Sequence, residues 1–259
     1  ANNNLWIGTR NNVYGYGGGT ILYSTDGLNY TAKYTDANTI STNSGTYRVE
    51  VACAPSNSNV IYAVGASIDA GDNDVLFFIK SSDGGSNWSS ITIPLNSDGN
   101  HFTRAQAWYD LILAVDPNNE NTLYAGGINL HKSEYSGSSW SQISHWYGGF
   151  GMPNVHADQH AIVFNPGNSN IIIFGNDGGI HMTADGGASF VSKNTGYNVT
   201  QFYSAAIHPT ISDYYYLAGS QDNGTQQFTN ATGIVSTTEV VGGDGAYCFI
   251  DQDTPITQI

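Results

Sequence analysis

Short apolar runs joined by polar turns recur along the whole chain. One unit consists of apolar residues 112–115, an Asp-Pro-Asn-Asn turn at 116–119 and a second apolar run at 122–127. The runs are rich in Tyr, Ile, Val and Phe, which favour strands, and no stretch has the period of a long amphipathic helix. The same pair of runs occurs at three further places: residues 49–55 with 60–65, 161–168 with 171–175, and 206–209 with 214–219.

A second motif follows these pairs at a regular interval. Residues 81–88 and 183–190 have the form Ser/Thr-x-Asp-x-Gly-x-x-aromatic, and residues 24–30 are a copy shortened by one position. A fourth copy, residues 133–140, is degenerate because Tyr135 stands where Asp belongs. The third positions fall at 26, 83, 135 and 185, so the steps are 57, 52 and 50 residues. A fixed period of this length indicates a repeat architecture.

The motif has the chemistry of a tight hairpin turn. An Asp carboxylate accepts backbone N–H groups within such a turn, and Gly adopts positive φ without steric cost. The aromatic residue that closes the motif is expected to return to the core. Asp26, Asp83 and Asp185 are therefore predicted to be structural and not catalytic.

One repeat combines these parts into strand, turn, strand, loop, strand, Asp motif and strand. Four antiparallel strands in roughly fifty residues are typical of a propeller blade. The sequence predicts an all-β propeller of about five blades in one domain, residues 1–259. Residues 4–8 match the second strand of a blade, and residues 255–259 match the start of another second strand. Two explanations fit this pattern. Either the two ends share one blade of a closed ring, or, as we favour, the chain is part of a larger propeller.

Charge excludes two classes of partner. The chain has 7 Lys and Arg against 21 Asp and Glu, giving a net charge of −14. Such a surface repels nucleic acid and anionic membranes. No run of 18 apolar residues is present, so no membrane span is predicted. Cys53 and Cys248 lie in apolar runs and are expected to be buried free thiols rather than a disulfide.

The paired apolar runs and the Asp motifs resemble those of the Asp-box (bacterial neuraminidase repeat) propellers. The closer similarity is to secreted propeller proteins of Bacteroidetes-type bacteria that carry a C-terminal sorting domain; xyloglucanase-like glycoside hydrolases and sortilin are more distant. The resemblance implies an extracellular or cell-surface location, with polysaccharide or an extracellular protein as partner, and a larger parent chain or secretion machinery. It rests on residues 106–111, 115–117, 125–128, 144–146, 156–161, 175–180, 221–225 and 242–245.

The resemblance also suggests catalytic residues. Xyloglucan-cleaving propellers place a catalytic Asp in a Gly-containing turn after a second strand, and Asp177 matches that context. Asp244 is its candidate partner, because an inverting glycosidase needs two carboxylates. The alternative is that both residues only stabilise turns. Sialidase chemistry is excluded, because it needs three arginines around one substrate and Arg10, Arg48 and Arg104 lie in different repeats.

Two sets of residues are candidate metal ligands. His156, Asp158 and His160 would share one face if they lie on a strand, which suits Zn²⁺ or another transition metal. The alternative is a hydrogen-bonded row of side chains. The acidic loop at residues 69–74 suits Ca²⁺, although it lacks EF-hand spacing and could equally be a solvated connection.

Aromatic residues in loop-like sequence are the candidate ligand-binding groups. Sugar rings stack on exposed aromatic rings, whose polar tips bind hydroxyl groups. The alternative is packing between blades. The predicted function is thus a glycan- or protein-binding module, with a glycoside hydrolase acting on a β-glucan as the alternative. The ligand-binding candidates are Trp108, Tyr109, Trp146, Tyr147 and Asp222.

Overall fold

The computed structural model describes residues 4–36, 46–67, 75–197, 200–210, 214–230 and 237–258. Within these ranges the regular structure is entirely β and no residue is helical. The acidic loop at 69–74, a candidate calcium site, lies outside the described residues. The chain forms two compact units, residues 1–194 and residues 195–259.

The first unit contains four antiparallel sheets whose strands pair in chain order. The first sheet is β1 (Leu5–Gly8), β2 (Thr20–Ser24) and β3 (Thr31–Thr35). The second is β4 (Thr46–Cys53), β5 (Ile61–Ser67), β6 (Val75–Ser81) and β7 (Ser89–Ser90). The third is β8 (Ile112–Val115), β9 (Leu123–Gly126), β10 (Leu130–Ser133) and β11 (Ser141–Gln142). The fourth is β12 (Gln159–Asn165), β13 (Asn168–Asn176), β14 (Gly179–Thr183) and β15 (Val191–Ser192).

The second unit contains one sheet of the same topology. Its strands are β16 (Ser204–Ile207), β17 (Tyr215–Gly219), β18 (Thr225–Thr229) and β19 (Thr237–Val241). The predicted all-β fold with propeller blades is therefore confirmed. The first sheet has three strands. Its strand β2 precedes an Asp motif, as the third strands β6 and β14 do in their sheets. β1 is therefore the second strand of its blade, as the sequence predicted.

Within the first unit the sheets meet through their first strands. β4 contacts β8, and β8 contacts β12, as expected for blades whose innermost strands surround an axis. The core fills the space between neighbouring sheets. Phe78 packs with Leu111 and Trp140 of the next sheet, and Tyr124 packs with Phe174 of the sheet after it. Apolar side chains from neighbouring sheets thus form a shared core in this unit.

The Asp-motif turns are held by a side-chain carboxylate. Asp83 Oδ1 accepts the backbone N–H groups of Ser86 at 3.0 Å and Asn87 at 2.9 Å. Ser81 Oγ accepts the backbone N–H of Gly85 at 2.8 Å. Hydrogen bonds from the side chain and backbone of Asn87 lower the pKa of Asp83 to about 2. The turn is therefore stabilised by an ionised carboxylate at neutral pH.

The other two Asp motifs have the same bonds. Asp185 Oδ1 accepts the backbone N–H of Ser189 at 2.9 Å. In the shortened copy, Asp26 Oδ1 accepts the backbone N–H groups of Leu28 and Asn29, both at 2.8 Å. Hydrogen bonds hold the pKa of both carboxyls well below the usual range. The Asp side chain thus joins the two ends of each turn.

The degenerate copy keeps half of this arrangement. Ser133 Oγ accepts the backbone N–H of Gly137 at 2.9 Å, as Ser81 does in its own turn. Tyr135 has no carboxylate to offer, and 67% of its surface is exposed. Ser136 has φ of 55° at the position where the regular copies carry Gly. The fold therefore tolerates the loss of the carboxylate but keeps the backbone path.

We expect Tyr135→Asp to stabilise the first unit. The new carboxylate would accept backbone N–H groups in the turn, as in the regular copies, for a gain of about 1 kcal/mol. Thermal denaturation should show a Tm higher by about 2–4 °C. Tyr135→Ala is the matched control, since it removes the same exposed ring without adding an acceptor. Equal Tm values for the two variants would contradict the prediction.

Both cysteines are free thiols. The prediction that they are buried is wrong for Cys53, which is exposed at the end of β4. Alternation along the strand turns Ala52 inward and Cys53 outward. Cys248 is half-buried in the second unit, where its backbone N–H donates to Ser204 Oγ at 2.8 Å.

Candidate functional site

The turn between β13 and β14 presents Asp177. Its two glycines are required, because a Cβ on Gly178 would lie 2.3 Å from His156 Cγ and Gly179 has φ of 107°. Asn194 Nδ2 donates to Gly178 O at 2.7 Å, and Asn194 Oδ1 accepts the Ile180 N–H at 2.7 Å. The side chain of Asp177 is therefore carried on a turn that is fixed from both sides.

The Asp177 carboxylate binds two side chains from other parts of the first unit. The Tyr109 hydroxyl donates to Oδ2 at 2.9 Å, and His160 Nε2 lies 2.7 Å from Oδ1. The Tyr109 and His160 rings meet edge to face, with centroids 4.8 Å apart. Burial and the hydrogen bond to Asp177 raise the pKa of Tyr109, so its hydroxyl remains a donor. We call Trp108, Tyr109, His160 and Asp177 the Tyr109 site.

The segment that carries Tyr109 is anchored by an arginine of the preceding sheet. Arg48 in β4 donates to Tyr109 O at 3.1 Å and to Leu111 O at 2.8 Å, and it pairs with Glu50. The backbone N–H of Tyr109 also donates to Gln106 O at 2.7 Å. Because the guanidinium bonds hold the main chain, the aromatic side chains of this segment are free to face solvent.

Beside the Tyr109 site lies a pair of carboxyl groups, the buried Asp110 and the partly exposed Asp158. Asp110 is fully buried. Its side chain is hydrogen-bonded to that of Asp158, which requires a proton on one of them. Burial, followed by the charge of Asp158, raises the pKa of Asp110 to about 9. The pair therefore holds a proton at neutral pH.

The expected metal site at residues 156–160 has a different geometry. The prediction that His156, Asp158 and His160 share one strand face is wrong, because β12 begins only at Gln159 and Asp158 has φ of 64°. His160 Nε2 contacts Asp177, and His156 Nδ1 contacts Ala157 O at 3.2 Å. In the part of the chain that is described, no cluster of three or more His, Cys, Asp or Glu is placed to hold a metal ion.

The loop after β11 presents a second group of aromatic residues. Trp146, Tyr147 and Phe150 are exposed to 40%, 64% and 74%. They surround the buried ring of His145, which lies 4.7 Å from the Tyr147 centroid and 5.0 Å from that of Phe150. The backbone N–H of Trp146 donates to Asn129 Oδ1 at 2.9 Å. Ligand binding by Trp146 and Tyr147 remains a prediction.

The remaining candidates lie in the second unit. Asp244 Oδ1 accepts the backbone N–H of Asp222 at 3.0 Å, and Asp222 has φ of 58°. The Asp244 carboxylate thus fixes the turn that carries Asp222. The pairing of Asp244 with Asp177 and the ligand-binding role of Asp222 remain predictions.

Sequence reasoning missed two residues beside the Tyr109 site. For Asp110 the sequence does carry a signal, because a carboxylate between Tyr109 and the apolar run of β8 indicates a buried acidic group. Gln106, whose Nε2 lies 3.4 Å from Asp158 Oδ1, carried no such signal. Trp108, Tyr109, Asp177, Asp158 and His160 were each identified, but for three separate roles.

Comparison with known proteins gives similar folds at low identity. No protein-family model matches the sequence, and no curated protein matches it. A GH74 enzyme from Niastella koreensis is 19% identical over 95% of this chain and 37% of its own, with a TM-score of 0.45. A GH74 xyloglucanase from Xanthomonas campestris is 16% identical over 98% of this chain and 43% of its own, with a TM-score of 0.48.

A third similar structure is YCF48 from Cyanidioschyzon merolae. It is 12% identical over 96% of this chain and 72% of its own, with a TM-score of 0.46. The chain therefore spans less than half the length of the two GH74 structures. These identities and TM-scores are too low to assign an activity to this chain. The assignment of the fold therefore rests on the sheet topology of the chain itself. No helix within the described ranges is long and apolar enough to cross a membrane.

Proposed function

We propose that this chain is an extracellular or cell-surface propeller module that binds polysaccharide through the Tyr109 site. The observation that carries the proposal is the pair of exposed rings beside fixed polar groups. Trp108 and Tyr109 are exposed to 47% and 40%, with centroids 5.6 Å apart. Sugar rings stack on such faces, while hydroxyl groups bind charged and polar side chains at their rim.

Rigidity supports binding by this surface. Arg48 holds the backbone of the 108–111 segment, and Asn194 holds the turn of Asp177. A preformed site loses little conformational entropy when a ligand binds. The extracellular location is part of the same proposal, and it follows from the resemblance of the repeat segments to secreted propellers.

Replacing Trp108 tests the proposal directly. We expect Trp108→Ala to weaken binding to a soluble β-glucan about tenfold or more, since exposed aromatic anchors dominate such interfaces. Affinity electrophoresis in gels that contain xyloglucan or mixed-linkage glucan measures the loss. Tyr135→Ala is the control, because Tyr135 is an exposed aromatic residue outside the site. Unchanged retardation by Trp108→Ala would refute the proposed surface.

The alternative function is an inverting glycoside hydrolase that uses Asp177. What favours it is the proton held by the Asp110–Asp158 pair close to Asp177, whose charge acts on the Asp110 carboxyl. What weighs against it is the complete burial of Asp110, because a general acid must reach the glycosidic oxygen. Hydrolysis of a β-glucan that Asp177→Asn abolishes would establish the enzyme, and binding without turnover would establish the module.

A further inference from the structure

We infer that the loop at residues 145–155 is a second sugar-binding subsite, and that one polysaccharide chain covers both this loop and the Tyr109 site. We call residues 145–155 the Phe150 loop. The inference rests on the proposed function and specifies its ligand as an extended stretch of a long, neutral glycan. A short oligosaccharide would reach only one of the two groups of exposed rings.

The first argument is that the loop and the Tyr109 site lie at the same end of the sheets. Residues 106–111 lead into β8 and the Phe150 loop precedes β12, and these are the first strands of neighbouring sheets that contact each other. Gln159, the first residue of β12, pairs with Asn176, the residue before Asp177. The Asp177 turn is therefore at the end of the fourth sheet where its first strand begins.

The second argument is direct contact between the loop and the Asp177 turn. His156 follows the loop immediately, and its ring lies against the turn, because a Cβ on Gly178 would be 2.3 Å from His156 Cγ. The His156 carbonyl is held by a bond from Gln159 Nε2. The protein surface is thus continuous from the Phe150 loop to the Asp177 side chain.

The third argument is that the loop holds its rings outward at a cost. The His145 N–H donates to Pro153 O at 3.0 Å, and Asn154 Nδ2 donates to Trp146 O at 2.7 Å, so the two ends of the loop are joined. Phe150 has φ of 55°, a backbone conformation that is strained for a bulky side chain. Its ring is nevertheless 74% exposed, so burial does not offset the strain. Strain of this kind is typical of ligand-binding segments.

The chemistry of the loop suits a neutral sugar chain. Residues 143–155 contain no Asp, Glu, Lys or Arg. The Trp146 and Tyr147 rings are in contact, with centroids 3.8 Å apart, and their exposed faces can pack against sugar rings. Stacked sheets lie roughly 10 Å apart, which is more than the width of one sugar ring. A glycan that contacts aromatic residues on two neighbouring sheets must therefore contain several sugar units.

Chain length provides the test, with cellotriose and cellohexaose as the two probes in isothermal titration calorimetry. We expect the unaltered chain to bind cellohexaose at least about tenfold more tightly than cellotriose, because the second contact forms within a complex that already exists. Phe150→Gly should weaken cellohexaose binding by about threefold or more and have a smaller effect on cellotriose. Trp108→Ala should weaken the binding of both.

Phe150→Gly separates binding from folding, since glycine adopts positive φ without strain and the Tm should not fall. Tyr147→Ala repeats the test at a position without positive φ. Tyr135→Ala is the control, because it removes an exposed ring from an Asp-motif turn and should preserve the gain with length.

Two results would overturn the inference and leave the proposed function standing. One is an unchanged gain with length in both Phe150→Gly and Tyr147→Ala while Trp108→Ala still weakens binding. The other is equal affinity of the unaltered chain for cellotriose and cellohexaose. Binding of neither oligosaccharide would also overturn the inference, and the proposed function would fail with it only if β-glucan gels do not retard the unaltered chain.

Discussion

Asp110→Asn is expected to make the chain more stable than wild type at about pH 8. Burial and the charge of Asp158 raise the pKa of Asp110 to about 9, whereas an Asp in an unfolded chain titrates near about 4. Between these values the folded state holds a proton that the unfolded state releases. The free energy of unfolding of the wild type should therefore fall as pH rises, by up to about 1.4 kcal/mol per pH unit.

The amide introduced by Asp110→Asn would donate to Asp158 without a titrating proton, so the variant should have a flatter profile between about pH 5 and 8. Urea denaturation at several pH values measures the slope, and the difference at about pH 8 should exceed about 1 kcal/mol. Asp98→Asn makes the same substitution at a half-exposed carboxyl that pairs with Arg104, and it should leave the slope unchanged. Parallel profiles for wild type and Asp110→Asn would disprove the shared proton.

Arg48→Ala is expected to destabilise the first unit by about 2–4 kcal/mol, because charge-assisted bonds to three backbone carbonyls and to Glu50 are lost together. The freed segment would also release Trp108 and Tyr109 from their fixed positions. Glycan affinity should therefore fall even though Arg48 is not a residue of the Tyr109 site. Thermal denaturation and affinity electrophoresis on one protein preparation measure the two effects.

Arg48→Lys tests whether geometry or charge matters. A lysine keeps the charge but lacks the planar fork that reaches several acceptors at once, so it should recover less than about half of the lost stability. Arg10→Ala is the control, since Arg10 stacks on the Tyr47 ring and holds no part of the 108–111 segment through a described bond. Full rescue by lysine would mean that the backbone anchoring contributes little.

The fold was predictable because its signal is local and repeated. The period of the Asp motifs and the paired apolar runs gave the number of sheets, and the position of residues 4–8 in their blade was also predicted. The short outer strands were not foreseen: β7, β11 and β15 have two residues each. Their length depends on packing against neighbouring sheets, which a local pattern does not record.

The site was predictable only in its parts. Alternation placed His156, Asp158 and His160 on one face, yet Gln159 pairs its backbone N–H with Gly127 O of the preceding sheet at 2.9 Å, and the strand starts there. That bond joins residues far apart in the sequence, as does the contact of Tyr109 with Asp177. The residue types in the sequence therefore indicate candidate functional side chains, whereas long-range contacts determine which of these side chains lie together.

The bonds between sheets have a mechanical consequence for the first unit. The Tyr62 and Tyr124 hydroxyls donate forward to Glu120 O and Gly186 O, while the Trp88 and Trp140 indoles donate backward to Lys33 O and Thr92 O. The second and third sheets are thus hydrogen-bonded to the neighbouring sheet on either side, and the first and fourth sheets are each bonded to one neighbour. A pulling force applied along the chain would have to break these hydrogen bonds between sheets in succession. The sheets would therefore detach one after another in discrete steps.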